Sequence, residues 1–264
     1  MKSCVLMAHV PDTASVIKIA GSGNRIEEAD IKWIVSPFDE YALEEAIRLK
    51  EAKGGSVTVV TYGPERAQQG LRECLARGAD AAVHVKGGEG TFGDSLAIAK
   101  VLAAAVRKTG PFDIFFAGVM GVGSDNALVG AMVAELLDVP HVAGVVKLEL
   151  GEGTITAHRE IEGGTEVVAA PLPCLITAQK GLNEPRYPSL KGIMASKKVA
   201  MQAFAAGDLG LDESAMAGAD ATCRWKALTL PPAKSGGVVL KGEDVPTGAA
   251  RELARLLREQ AKAI

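Results

Sequence analysis

The segment Gly118-Val119-Met120-Gly121-Val122-Gly123-Ser124-Asp125-Asn126 carries the residue types and spacing best suited to binding chemistry. It follows an apolar run and precedes a helical pattern, the place where open α/β sheets collect ligands. Its glycines let the backbone approach a ligand closely. The free N–H groups of the following helix attract an anion such as phosphate. Ser124 and Asn126 add side-chain donors, while the Asp125 carboxylate repels phosphate unless it turns away to cap the helix. The spacing matches neither the dinucleotide fingerprint nor the P-loop. An anion site and a turn with an N-cap therefore both remain open. Ser36-Pro37-Phe38-Asp39 is a second helix start of this kind, readable as capping alone, and Val10-Pro11-Asp12-Thr13 is a third edge of the same site.

Catalytic machinery is hard to find. His9, His84, His141 and His158 are isolated in sequence, and no G-x-S-x-G, H-E-x-x-H or cysteine–histidine signature occurs. Cys4, Cys74, Cys174 and Cys223 form no C-x-x-C pair for metal or redox chemistry and read as reduced, mostly buried thiols. A nucleotide site without an acid–base set points to holding a cofactor rather than transforming a substrate.

The elements that must position these residues alternate. Ser3–Val10, Ser56–Thr61, Ala81–Val85 and Asp113–Ala117 read as buried strands. Helices are expected from Ser36 to Gly54, from Gly63-Pro64 to Arg77, within Thr91–Lys108 and up to Leu137. Ser36 as cap, Pro37 at the first helical position and Asp39 closing an S-x-x-D box mark the first helix start. This order implies parallel strands with right-handed crossovers. After Pro140, Val142–Glu149, Thr154–Glu160 and Thr165–Ala169 read as an antiparallel meander with glycine turns. From Gly181 to Ala233 periodicity is weak and proline breaks are frequent, so this stretch reads as an extended arm that needs a surface. An amphipathic helix over Thr247–Lys262 follows. The expected fold is α/β: a mostly parallel twisted sheet flanked by helices, with an antiparallel extension and a long C-terminal arm that wraps a partner subunit. The expected division is a nucleotide-binding domain over residues 1–180 and a recognition loop, arm and terminal helix over 181–264.

Composition narrows the function classes. The 264 residues are 48% hydrophobic and 23% charged, with a formal net charge of −3. That supports a core without disulfides and excludes the basic face a nucleic-acid binder needs. No stretch is long and apolar enough to span a bilayer, so no membrane insertion is expected, and the cytoplasm is the expected location.

The segment Arg159-Glu160-Ile161-Glu162-Gly163-Gly164-Thr165-Glu166, with Pro173-Cys174-Leu175-Ile176-Thr177-Ala178, closely resembles the signature region of electron transfer flavoprotein beta subunits. Leu182-Asn183-Glu184-Pro185-Arg186-Tyr187-Pro188-Ser189-Leu190 and the residues on to Lys198 are similar to that family's partner-recognition loop. Val10–Thr13, Ser36–Asp39 with Ala42–Ala46, Gly207–Gly210 and Pro231-Pro232 with Ser235–Gly237 follow the same pattern, so the resemblance covers nearly the whole chain.

The resemblance implies an adenine-nucleotide alpha-hydrolase-like α/β fold and a heterodimer. An alpha subunit holds the redox-active FAD, and the beta subunit buries AMP or, in an electron-bifurcating branch that oxidises NADH, a second FAD. Implied nucleotide contacts are Leu6, Ser36, Pro37, Phe38, Asp39, Val59, Tyr62, Gly118, Gly121, Gly123, Ser124, Asp125, Asn126, Ala127, Leu128 and Val129. Thr13 and Phe38 match positions beside the alpha-subunit flavin. Leu190, flanked by Ile193 and Met194, matches the leucine that anchors acyl-CoA dehydrogenases. The implied role is an electron carrier rather than an enzyme, moving electrons from an acyl-CoA dehydrogenase-type donor to a quinone reductase or related acceptor. The bifurcating branch and a stand-alone adenine-nucleotide-binding module are the alternatives. The chain departs from the family where relatives carry a lysine, a glutamine and an acidic pair: Val119, Met120, Gly123 and Ser124 stand there, with Ala8 in place of a lysine and Ser36 in place of asparagine.

Overall fold

Alternation along β1 (Lys2–Leu6) sets the two faces of the main sheet. Val5 packs with Val57 and Val59 of β4 (Ser56–Gly63) beneath α1 (Pro37–Lys53) and α2 (Ala67–Arg77). Cys4 and Leu6 face the other way, with Val60, against α3 (Ser95–Thr109) and α4 (Val129–Leu137). Period-2 alternation in fully buried strands feeds a separate apolar layer on each face. This is a computed structural model; it describes residues 1–87, 94–212, 223, 226–233, 236–240 and 248–263. The chain divides into two units, Met1–Leu228 and Thr229–Ile264.

The main sheet of the first unit also contains β5 (Ala81–Lys86), β6 (Ile114–Gly118), β7 (His141–Leu150), β8 (Thr154–Ile161), β9 (Gly164–Pro171), β10 (Cys174–Ala178) and β11 (Gln202–Phe204). Their spatial order is β11-β5-β4-β1-β6-β10-β7-β8-β9. Pairing is parallel from β11 to β7 and antiparallel through β8 and β9. The expected α/β fold with an antiparallel extension is present. β10 returns between β6 and β7, which ties the meander to the parallel core.

Three local expectations change. Ser3–Val10 is not one strand: β1 stops at Leu6, and β2 (His9–Pro11) pairs antiparallel with β3 (Trp33–Val35) in a small second sheet. The break comes where the Ala8 amide leaves the ladder for the Asp39 carboxylate and the Ala8 carbonyl accepts from Ser36. Helix α1 begins at Pro37 as expected, but Ser36 makes no side-chain cap and its buried Oγ has no partner among the described residues. The S-x-x-D box stays open because Asp39 is drawn to other amides. α2 starts at Ala67, after a turn through Pro64–Arg66, rather than at Gly63-Pro64.

The stretch after Gly181 is more ordered than its sequence suggests. It contains α5 (Leu190–Ser196), packed on α2, then edge strand β11 and a 3₁₀ turn at Gly207–Leu209. Tertiary contacts stabilise elements too short to show periodicity. Of the helix expected within Thr91–Lys108, residues 91–93 lie outside the described residues, as do Thr247 and Ser235. In the second unit, α6 (Gly248–Glu259) places Leu253, Leu256 and Leu257 along one stripe, with no residue buried. No helix among the described residues is long and apolar enough to cross a membrane.

Candidate functional site

The strand order puts the carboxyl ends of β1, β4 and β6 side by side, and a cavity of about 220 Å³ opens there. Leu6, Ile98, Leu102 and Ala117 form an apolar wall. Gly118, Gly121, Ser124, Asn126, Ala127, Leu128 and Val129 form the opposite lip, and Tyr62 and Asp39 also face the space. Burial raises the Tyr62 hydroxyl above its ordinary range. Ten of the sequence-derived nucleotide residues therefore meet in one place: Leu6, Asp39, Tyr62, Gly118, Gly121, Ser124, Asn126, Ala127, Leu128 and Val129. Gly123 and Asp125 belong to the same loop but stand outside the lining, as do Ser36, Pro37 and Phe38 at the start of α1. Val59 is fully buried in the layer under α1 and α2, on the sheet face away from Leu6. Thr13 is exposed in the loop after β2.

Asp39 fixes the floor of the cavity. It is 6% exposed, and its Oδ2 accepts from the Ala8 amide and its Oδ1 from the Gly118 amide, both at 2.7 Å. Burial pushes its carboxyl up to about 7, against those two hydrogen bonds, with Glu40 adding a smaller push upward. The carboxylate thus joins the ends of β1 and β6 and carries little charge on the acid side of neutrality.

The glycine-rich loop is held by its own bonds. Asp125 N donates to Gly121 O at 2.9 Å, Ser124 Oγ donates to the same oxygen at 3.1 Å, and Gly123 N donates to Asp125 Oδ1 at 3.3 Å. Asp125 does turn away, but it braces the loop instead of capping α4, whose start has no side-chain cap. Asp125 and Ala127 both have left-handed backbone, φ 49° and 53°. Such alternation turns successive amides toward one concavity, as in anion-binding nests. Asn126 reaches Ser95 Oγ at 3.4 Å, linking the loop to α3.

Val10 and Pro11, expected as a third edge of the site, line the cavity, but sequence reasoning missed the rest of its far wall. Arg25, Trp33 and Arg66 line the cavity beyond the glycine loop. The Arg66 guanidinium lies 3.7 Å from the Trp33 ring centre and pairs with Glu28 at 3.0 Å. His9 sits beside Trp33, and burial, helped by Arg66, lowers its imidazole to about 4. His9, Arg25, Glu28 and Trp33 come from the β2–β3 excursion, whose three-residue strands carry no readable period, and Arg66 from the turn before α2.

The residues expected to recognise a partner are not among those lining the cavity and lie on and beside α5. Tyr187 is 92%, Leu190 76% and Met194 64% exposed, with Ile193 also exposed.

Fold and site together define a parallel α/β protein with a ligand cavity at the carboxyl edge of its sheet and a separate exposed apolar segment. The electron transfer flavoprotein domain matches residues 24–209. Electron transfer flavoprotein subunit beta of Bacillus subtilis is 41% identical over 267 residues, covering 100% of each chain. The same subunit of Thermoanaerobacterium thermosaccharolyticum is 37% identical over 92% of this chain and 93% of its own. The caffeyl-CoA reductase-Etf complex subunit CarD of Acetobacterium woodii is 36% identical over 93% and 94%. The chain belongs to the electron transfer flavoprotein family, among its beta subunits.

The adenine nucleotide that the family implies fits this donor set. The wall of Leu6, Ile98 and Leu102 suits a planar base, Ser95, Ser124 and Asn126 offer hydroxyl and amide groups, and the first turn of α4 offers unpaired amides for a phosphate. The glycine loop contributes no lysine or arginine, so backbone amides would have to carry an anion there, with Arg25 and Arg66 at the opposite wall.

Proposed function

We propose that this chain is the beta half of a heterodimeric electron carrier, located in the cytoplasm. It would bury AMP in the cavity at the ends of β1, β4 and β6, and help cradle an FAD held by an alpha subunit. That FAD, when bound, supplies the redox chemistry. The beta chain orients and shields. Donors of the acyl-CoA dehydrogenase type would dock on the segment around Leu190, and a quinone reductase or related acceptor would take the electrons. The C-terminal residues from about 181 onward would supply the surface that holds the alpha subunit.

The observation that carries this reading is the cavity itself. Backbone amides and apolar groups line it beside Asp39, with Arg25, Arg66 and Glu28 at its far side, a set suited to holding a nucleotide. Co-expression with the alpha partner and acid extraction of the purified pair tests it, by counting bound FAD and AMP. One of each is expected. A pair that binds no flavin overturns it, and so does a stable beta monomer with tight ATP binding, which would make the chain a stand-alone nucleotide module.

A second reading has one specific support. The cavity lining continues past the glycine loop to Trp33, Arg25 and Arg66, which supply an aromatic face and two cations that a mononucleotide at the glycine loop would not need. On that reading a second FAD occupies the beta subunit of a bifurcating, NADH-oxidising enzyme. Two FAD and no AMP in the same extraction would select it.

A further inference from the structure

The segment that exposes Leu190 is held by buried and half-buried polar bonds rather than by its own apolar side chains. Arg186 is the centre of this hold. Its Nε and Nη2 donate to Glu44 at 2.8 and 3.0 Å, and its Nη1 and Nη2 to Glu51 at 2.6 and 2.9 Å. Its backbone amide also reaches Glu44 at 3.2 Å. Glu44 is only 4% exposed, while Glu51, two turns along α1, is 54% exposed. Burial alone would raise the Glu44 carboxyl, but the bonds from Arg186 and Arg48 outweigh it and hold it below its ordinary value. Upstream, Asn183 Nδ2 donates to Glu45 at 2.9 Å and to the Tyr41 carbonyl at 3.0 Å. Downstream, Arg72 of α2 donates to the carbonyls of Ser196 and, at 2.6 Å, Val199.

A segment kept for its contribution to the core would bury its large apolar groups. This one does the reverse. Tyr187, Leu190 and Met194 point outward while charged groups fix the backbone beneath them. A bidentate arginine fork on two carboxylates sets orientation more stringently than a point charge does. Buried ion pairs add little net stability, so positional definition is the better account of their presence. Ordering a docking segment in advance lowers the entropy cost of each encounter, which suits a contact that must form and break quickly.

We propose that Arg186, clamped by Glu44 and Glu51, is a positioning residue that holds the Leu190 segment in its partner-binding pose; this rests on the docking role given to Leu190 above. The test uses the heterodimer with a purified acyl-CoA dehydrogenase and its acyl-CoA substrate. Arg186→Lys keeps the charge and loses the fork. It should raise the KM for the heterodimer by about tenfold, the equivalent of ~1.4 kcal/mol, with kcat and direct dithionite reduction unchanged. Amide exchange across residues 187–198 should quicken. Glu51→Gln, at an exposed position that does not threaten folding, should shift both readouts the same way by a smaller factor. Because the clamp acts through Leu190, the Arg186→Lys/Leu190→Ala pair should be no worse than Leu190→Ala alone. If Leu190→Ala raises KM while Arg186→Lys changes neither KM nor exchange, the clamp is overturned and the docking role stands. If Leu190→Ala leaves KM unchanged, the docking role falls and the positioning proposal falls with it, whatever the exchange shows.

Discussion

Asp39 Oδ1 accepts the Gly118 amide at 2.7 Å, and a Cβ on Gly118 would lie 2.6 Å from that same oxygen. One carboxylate and one glycine therefore define the floor of the cavity together. The carboxyl has a consequence for pH. Burial places it at about 7 in the folded protein, against 3.8 for the ordinary group. Between those values the folded protein keeps a proton that the unfolded chain releases. The stabilisation is complete below about pH 4 and is lost as pH rises through 7, with a total of up to about 4 kcal/mol. Unfolding midpoints in urea from pH 4 to 8 should fall in that window. Glu45, also raised by burial, slopes the same way, so the difference from Asp39→Asn isolates the effect. That variant should be less stable at pH 5 by about 1–2 kcal/mol, because its amide can accept only one of the two N–H groups, and the gap should narrow by pH 8.

Gly118→Ala tests the other half of the pair. The new methyl would meet Asp39 Oδ1 and Phe38 Cβ at 2.6 Å and Asp39 N at 2.8 Å, two of them fixed to the start of α1. Overpacking of this kind costs about 1–3 kcal/mol. The expected result is a lower melting temperature together with loss of nucleotide from the purified heterodimer. Unchanged nucleotide content would show that the loop adjusts freely.

The fold was legible where strands are long and buried. Val57–Val60 and Ile114–Ala117 are apolar runs between glycine or proline signals, and they proved to be central strands. The cavity lip was legible because glycines cluster after β6. The far wall was not, because Trp33, Arg66 and Arg25 meet only through tertiary contacts of a short excursion. The role of Asp39 was misread for a related reason. A capping box and a strand-end bridge use the same residue at the same spacing, and only the approach of Ala8 and Gly118 decides between them. α5 and β11 stayed invisible because seven and three residues are too few for a periodic pattern.

The cysteines should divide sharply in reactivity. Cys4, Cys74 and Cys174 are buried and free, and burial raises all three thiols, Cys174 to about 11, so thiolate is scarce at neutral pH. Cys223 is free and exposed. Alkylation of the native protein followed by peptide mass mapping should label Cys223 quickly and the other three only after denaturation. Rapid native labelling of Cys4 would contradict its place in the central strand.

Ala127 holds φ 53° without glycine's freedom. Left-handed backbone costs a non-glycine residue about 1–2 kcal/mol, while glycine adds roughly 0.5–1 kcal/mol of unfolded-chain entropy. The strain is the larger, so Ala127→Gly should raise stability slightly, by about 0.5–1 kcal/mol on those figures. Gly123→Ala, at φ 96°, should lower it. Paired melting curves check both signs.

Gly192 sets two effects against each other. It lies inside α5, where alanine is the better helix former by about 1 kcal/mol. Its missing Cβ, however, would stand 2.1 Å from the Ala76 carbonyl oxygen of α2, a backbone atom that cannot swing aside. Ser189 caps the same turn by accepting the Gly192 amide at 3.0 Å, so the turn cannot simply rotate without breaking its cap. The clash should win locally. Gly192→Ala should lift α5 from α2, strain the Arg72 bonds to the Ser196 and Val199 carbonyls, and speed tryptic cleavage after Lys191, while global stability changes little. The KM for the donor dehydrogenase should rise in step with that cleavage rate. A variant cleaved no faster than the parent would mean that helix propensity prevails, and that the close seat of α5 on α2 is not what holds Leu190 outward.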